Sequence, residues 1–127
     1  MHDLTVFETG AELDRFWAWV ELARRDWDAF AAELRTLDEP TLIRFVWTFQ
    51  DLAGDVSEAI EDSDSYDYDH DLEDVCGWVV AQGRAFYERC LADPTLAPDE
   101  LEGVGIDVQY EAATAYRERS GKDPPSY

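Results

Sequence analysis

The sequence predicts an all-α fold, a single-domain helical bundle of about five helices with an acidic surface loop. Apolar residues recur every three or four positions over most of the chain, and no strand-like alternation lasts longer than a few residues. A length of 127 residues suits one domain with one hydrophobic core. We therefore expect a single helical domain over 1–127, with its core at about 11–121 and a C-terminal tail at 122–127.

Two short helices are predicted near the start of the chain, at about 11–24 and 26–36. The apolar positions of the first helix are Leu13, Phe16, Trp17 and Val20. Those of the second helix are Trp27, Phe30, Ala31 and Leu34. The charged run Arg24-Arg25-Asp26 interrupts the apolar periodicity between them, which predicts two helices here rather than one.

The third helix has the clearest start signal. Asp38 is suited to an N-cap and Pro40 to the first turn. Leu37 and Leu42 have the spacing of a hydrophobic staple. The apolar stripe then runs through Phe45, Val46, Phe49, Ala53, Val56 and Ile60. Trp47, like Trp19 of the first helix, lies roughly 100° or more from the stripe of its own helix. Both indoles are therefore either exposed or packed in a second contact, and we favour the second contact.

A surface loop is predicted over 61–71. The apolar periodicity disappears there, and the sequence reads Glu-Asp-Ser-Asp-Ser-Tyr-Asp-Tyr-Asp-His-Asp. A segment with so few apolar side chains cannot form the buried face of an amphipathic helix. It is also the most acidic part of the chain, and we return to it below as a candidate site.

A long fourth helix, central to the bundle, is predicted from Leu72 to Leu91, ending before Asp93-Pro94. Cys76 and Cys90 fall on one face of this helix, roughly 21 Å apart at about 1.5 Å per residue. They cannot bridge each other, so we expect two buried free thiols.

The last helix is predicted around Tyr110, Ala113 and Tyr116, and Ser120-Gly121 closes it. The residues from Val104 to Val108 are predicted as a short extended piece. Gly103-Val104-Gly105 lacks the third glycine of a dinucleotide loop and is predicted as a turn.

The charge of the chain limits its partners. Thirty acidic residues against 10 basic ones give a net charge of -20 at pH 7. Direct binding to nucleic acid is disfavoured, because it requires a basic patch, and binding to anionic membranes is disfavoured by the same repulsion. A role in solubility alone and a basic protein partner remain open as explanations of this charge.

The compartment predicted is the cytoplasm. The first residues, Met1-His2-Asp3-Leu4, lack the basic start and the apolar run of a signal peptide. No later stretch is apolar for long enough to span a bilayer.

The sequence predicts no catalytic residue, no metal ligand and no cofactor. Only His2 and His70 are histidines, and neither has the spacing of a Ser-His or Cys-His pair. Asp62, Asp64 and Glu73 occupy positions one, three and twelve of a calcium loop. The match ends there, because Tyr66 and Asp67 stand where such a loop needs a ligand and a glycine.

Recognition of a partner is the chemistry that the acidic loop favours. Two tyrosines alternate with aspartates there, and tyrosine is favoured at interface hot spots because it combines apolar area with a hydroxyl group. The surrounding carboxylates steer a basic partner and raise its association rate. The predicted partner-binding residues are Asp62, Asp64, Tyr66, Asp67, Tyr68, Asp69 and Asp71.

The central part of the chain reads Gly-Trp-Val-Val-Ala-Gln-Gly-Arg-Ala-Phe-Tyr-Glu at 77–88 and Leu-Ala-Asp-Pro at 91–94. These residues resemble the centre of a bacterial domain-of-unknown-function family, number 4240 (DUF4240). Phe16-Trp17, the helix from Phe45 to Phe49, and Tyr110 to Gly121 extend the resemblance over most of 13–121. The resemblance implies a cytoplasmic helical domain and leaves its activity open.

Three hypotheses of function follow. The first is an interaction protein of the immunity or antitoxin kind, which blocks a basic effector protein by covering its active site. The second is a divalent-metal-dependent hydrolase that uses the carboxylates of the loop. The third is a regulator that mimics nucleic acid and binds a DNA-binding protein. We favour the first because the acidic charge and the two tyrosines occur in one segment.

Overall fold

The computed structural model describes residues 4–62, 72–97 and 102–127, without the side chain of Asp62. Within these ranges the chain forms six α-helices and a short 3-10 helix at Pro94–Leu96, and no strand. The helices are α1 at Gly10–Arg25, α2 at Trp27–Leu34, α3 at Glu39–Asp62, α4 at Leu72–Ala81, α5 at Arg84–Ala92 and α6 at Asp107–Ser120. The predicted all-helical class is confirmed for these residues.

Short-range hydrogen bonds begin the first three helices. The Oγ1 atom of Thr9 accepts from the backbone N–H of Glu12 at 3.1 Å, and the Glu12 carboxylate accepts from the Thr9 N–H at 3.2 Å, which is a capping box. Asp26 caps α2 through the N–H of Ala29. The predicted N-cap of α3 is confirmed, because Asp38 accepts from the N–H of Thr41 at 2.9 Å.

Helix α3 is the centre of the bundle. Its contacts with α6 and with α4 are the two most extensive between the described helices, and it also contacts α5. The prediction that the fourth helix would be central is therefore wrong. The N-terminal segment also packs on α3, where the N–H of Phe7 donates to the buried hydroxyl of Thr48 at 2.8 Å. The hydrophobic core thus begins before α1.

The predicted long fourth helix is two helices, because the chain breaks between α4 and α5. Gly83 separates them with a φ angle of +104°, a backbone conformation that favours glycine. A Cβ atom at this position would overlap a carboxylate oxygen of Glu21 in α1. Cys76 and Cys90 therefore lie on different helices, which corrects the prediction of a shared one. Both are buried, free thiols, as predicted.

Helix α6 begins at Asp107, so the predicted extended piece from Val104 to Val108 is wrong. Its buried residues are Val108, Gln109, Ala112, Ala115 and Tyr116. Tyr110 was predicted on the apolar face but is 48% exposed, and the polar Gln109 lies inward instead. The predicted closure of the helix is confirmed, since Gly121 follows Ser120 with a left-handed φ angle of +79°.

Both off-stripe tryptophans have a second packing contact, as predicted. Trp19 is buried against the rings of Phe7 and Phe45. Trp47 is partly buried and stacks on Tyr127. None of the described helices has an apolar run that would reach across a lipid bilayer.

Candidate functional site

The predicted partner-binding segment falls almost entirely outside the described residues. Asp62 is the last residue of α3, so the helix extends into the segment predicted as a loop over 61–71. The other six predicted residues lie outside the described ranges: Asp64, Tyr66, Asp67, Tyr68, Asp69 and Asp71. Their role in partner binding stays a prediction, and the described residues on either side define the surface to which the segment connects.

A cleft lies between α3, α4 and α6, next to that segment. Its volume is about 480 Å³. It is lined by Gln50, Ala53, Gly54, Ser57, Leu72, Glu73, Cys76, Ile106 and Gln109. Leu72, the first described residue after the acidic segment, therefore forms part of the cleft wall.

Small residues on α3 leave the cleft open. Ala53, Gly54 and Ser57 fall on the part of α3 that faces α4 and α6 across the cleft. A Cβ atom built at Gly54 would meet no described atom within 4 Å. Larger side chains at these three positions would fill the space, so the sequence of α3 itself determines that a cleft exists here.

Gln109 places an amide in the wall of this cleft. It is only 8% exposed. Among the residues described, Thr48 is the only other buried polar residue. The Thr48 hydroxyl accepts a hydrogen bond from Phe7, whereas the Gln109 side chain has no hydrogen-bond partner in the described part of the chain. In the described residues, every side-chain nitrogen or oxygen atom that is fully enclosed has a hydrogen-bond partner. Because the Gln109 amide atoms have none, they are not fully enclosed and remain open to the cleft.

Four carboxylates lie on α3 and α4, on either side of the acidic segment in the sequence, and we name them the acidic face: Glu58 and Glu61 on α3, and Glu73 and Asp74 on α4. The sequence from Phe45 to Gly83 contains no lysine or arginine. The ion pairs of the described residues include none of these four side chains. The acidic face therefore keeps its negative charge.

The arginines neutralise other parts of the surface. Arg35 bonds Glu111 at 3.0 Å and Glu118 at 2.9 Å, which ties α2 to α6. Arg44 bonds Glu12 at 2.6 Å, which ties α3 to α1. The hydrogen bond with Glu118 raises the pKa of Arg35, and the same bond lowers the pKa of Glu118. These ion pairs all use arginines outside the stretch from Phe45 to Gly83, so none of them neutralises the acidic face.

The negative potential reaches into the cleft. Burial raises the pKa of the Cys76 thiol to about 12, and the carboxylate of Glu61 acts in the same direction. Tyr110 lies outside the lining of this cleft; burial raises the pKa of its hydroxyl, and the nearby Glu73 and Asp74 raise it further. Cys76 therefore stays protonated at neutral pH and lacks the thiolate that a nucleophilic cysteine needs.

The described residues hold no group of three histidine, cysteine, aspartate or glutamate side chains that could bind a metal ion. Of the calcium-loop positions, only Glu73 has a described side chain, and it lies at the cleft. The metal hypothesis rests on the carboxylates of the acidic segment and stays a prediction.

No family model, no curated protein and no solved structure matches this chain. The resemblance to family 4240 therefore remains a prediction from the residues quoted above. The functional argument depends on the cleft and on the acidic face. The sequence analysis did not identify Gln109 as a candidate residue. The signal that could have indicated a cleft is the group of small residues at 53, 54 and 57 on a helix whose other inward residues are bulky.

Proposed function

We propose that this protein is an interaction domain that binds a basic protein partner through the acidic face, in the manner of an immunity protein or antitoxin that covers an effector. One observation carries the proposal. The chain places no lysine or arginine between Phe45 and Gly83, and the four carboxylates of the acidic face have no ion-pair partner among the described residues. A cationic protein would supply the missing counter-charges.

Unpaired like charges oppose folding, because they repel one another in the compact state. The basic residues that border this stretch show that pairing is possible in this fold. Arg44 bonds Glu12, and Arg84 bonds Asp14 and Glu88 at 3.1 Å. A concentrated negative surface is useful for association, since it steers a positive partner and raises its association rate.

The acidic segment supports the same proposal from the sequence. It follows α3 in the sequence and contains four further aspartates, Asp64, Asp67, Asp69 and Asp71. Tyr66 and Tyr68 would anchor the partner, because tyrosine combines a large apolar area with few rotatable bonds. Charge then governs the rate of encounter, and the two phenols govern the lifetime of the complex.

The test compares two double variants that remove the same charge from different places. The variant Glu58→Gln with Glu61→Gln acts on the acidic face. The control, Asp28→Asn with Glu33→Gln, acts on two exposed residues of α2 that take part in none of the ion pairs among the described residues. Tagged protein is used to capture partners at low ionic strength from cells that produce it naturally, and association rates are then measured with the captured protein.

We expect a basic protein to be captured by the wild type and by the control. The acidic-face variant should associate at least about threefold more slowly at low salt. The proposal is wrong if no basic protein is captured, or if both variants slow association equally, because an equal effect reports net charge alone.

The same complex separates the other two hypotheses. Competition by duplex DNA for the captured partner would favour the nucleic-acid mimic, whereas a partner without affinity for DNA would favour an effector of another kind. Saturable binding of calcium, magnesium or manganese, measured by calorimetry on the free protein, would favour the metal-dependent hydrolase.

A further inference from the structure

The cleft contains a polar group whose hydrogen-bonding capacity is unused. The amide of Gln109 offers one acceptor oxygen and two donor hydrogens. No described side chain or backbone group bonds it, although the residue is more than nine-tenths buried. Its amide oxygen and nitrogen are open to the cleft, so a ligand that enters the cleft can bond them directly.

The surroundings of the amide indicate the chemistry of that ligand. Glu73 lines the same cleft, and Glu61 is close enough to raise the pKa of the cleft residue Cys76 electrostatically. Leu72, Ile106 and Ala53 provide apolar contact. A ligand that matches has a positive, hydrogen-donating end and an apolar stem.

We infer that the cleft between α3, α4 and α6 binds an arginine side chain of the basic partner. This inference rests on the proposed function. The guanidinium group donates to the oxygen of Gln109 and to the carboxylate of Glu73, while its methylene stem packs on the apolar lining. The amide hydrogens of Gln109 remain available for a backbone carbonyl of the partner.

Arginine fits this site better than lysine. A guanidinium group is planar, carries five N–H donors and is weakly hydrated, so it can bond an amide and a carboxylate together in a partly buried site. The lysine ammonium is a compact and strongly hydrated charge. The cleft volume of about 480 Å³ lies within the range of small-ligand pockets, about 300–1,000 Å³, and has room for one long side chain.

The composition of the chain makes the inference directly measurable. The sequence contains no asparagine and only three glutamines, Gln50, Gln82 and Gln109. Their side-chain amides give the only such signals in a proton–nitrogen correlation spectrum. Gln82 is an internal control, because its amide donates to the carbonyl oxygens of Trp78 at 3.1 Å and Val104 at 2.8 Å.

The experiment titrates the full chain with three capped peptides of equal length, made of arginine, lysine or the neutral arginine analogue citrulline. The arginine peptide should shift the Gln109 amide signals saturably and leave those of Gln82 in place. The lysine peptide should bind more weakly and leave Gln109 unchanged. Preference for neither charged peptide over citrulline would overturn the proposed function itself. Equal binding of the arginine and lysine peptides with an unmoved Gln109 overturns only the arginine site.

Two variants complete the test. Gln109→Leu removes an amide that bonds no described group, so the free protein should be about as stable as the wild type. Its affinity for the arginine peptide should fall about tenfold, the effect of one hydrogen bond to a charged group. Gly54→Leu introduces a side chain where the cleft is open and should weaken the same binding. Unchanged affinity in both variants contradicts the inference.

Discussion

The phenol ring of Tyr127 stacks on the indole of Trp47, with ring centroids 5.6 Å apart and an angle of 28° between the ring planes. The indole N–H donates to the carbonyl oxygen of Pro125 at 2.9 Å, and the Tyr127 hydroxyl lies 3.4 Å from Asp51. The segment predicted as a tail at 122–127 thus packs along α3.

Replacing Tyr127 by alanine should therefore lower the free energy of unfolding. The expected loss is about 0.5–1 kcal/mol, because an aromatic pair contributes this much beyond its buried area. Tyr127→Phe keeps the ring and should retain most of the stability. Urea unfolding of both variants is the measurement. Equal stabilities of the alanine and phenylalanine variants would show that the stack contributes nothing.

Gly83→Ala should destabilise the protein by about 1–3 kcal/mol. The φ angle of +104° is strained for any residue with a Cβ atom, and the new methyl group would also displace Glu21. Gly54→Ala is the matched control. It lies inside α3 with open space around it and should stabilise the protein by about 0.5–1 kcal/mol. Thermal unfolding measures both, and a stable Gly83→Ala protein would contradict the break between α4 and α5.

Glu12 should make stability depend on pH in the acid range. The backbone N–H of Thr9 and the guanidinium of Arg44 lower the pKa of Glu12 from 4.5 to about 2. A carboxyl whose pKa is lowered on folding stabilises the protein above its unfolded pKa, and this contribution disappears as the pH falls through the folded value. The contribution of Glu12 is therefore complete above about pH 5 and lost near pH 2.

The corresponding variant is Glu12→Gln, which retains an acceptor for the capping box and removes the charge. The wild type should be more stable than the variant at pH 6, and the difference should shrink as the pH falls from 4.5 to 2. Denaturant unfolding at several pH values follows the difference. A constant difference over this interval would show that the ionised carboxylate has no special role.

Salt should stabilise the free protein. The chain has a net charge of -20, so its carboxylates, including those of the acidic face, repel one another. Added salt screens this repulsion. The same salt weakens the exposed ion pairs, but each of these contributes only about 0–1 kcal/mol. The melting temperature should therefore rise between low and moderate sodium chloride. A fall would mean that the ion pairs outweigh the repulsion.

Local sequence signals predicted boundaries of the first three helices and the end of the last one. The capping side chain of Asp38, the break at Arg24-Arg25-Asp26 and the closure at Gly121 act over a few residues, so they can be recognised without tertiary information. The break at Gly83 could not be recognised in this way. The apolar stripe continues across it, and the sequence alone does not show that the backbone at Gly83 adopts a φ angle of +104°.

The cleft was harder to predict than the helices. Which face of α6 is buried depends on the surface that α3 presents to it, and the more apolar Tyr110 lies outward while Gln109 lies inward. Charge was easier to interpret, because the absence of basic residues between Phe45 and Gly83 is a property of the sequence itself. The structure adds the observation that the described carboxylates there take part in no ion pair with another described residue.

The most direct test of the central claim is the association rate of the captured basic partner as a function of ionic strength. It compares the wild type with a variant in which Asp62, Asp64, Asp67, Asp69 and Asp71 are replaced by asparagine. Negative charge at the α3–α4 connection should speed association, so the variant should bind more slowly at low salt and depend less on salt. An unchanged association rate at low salt would contradict the account.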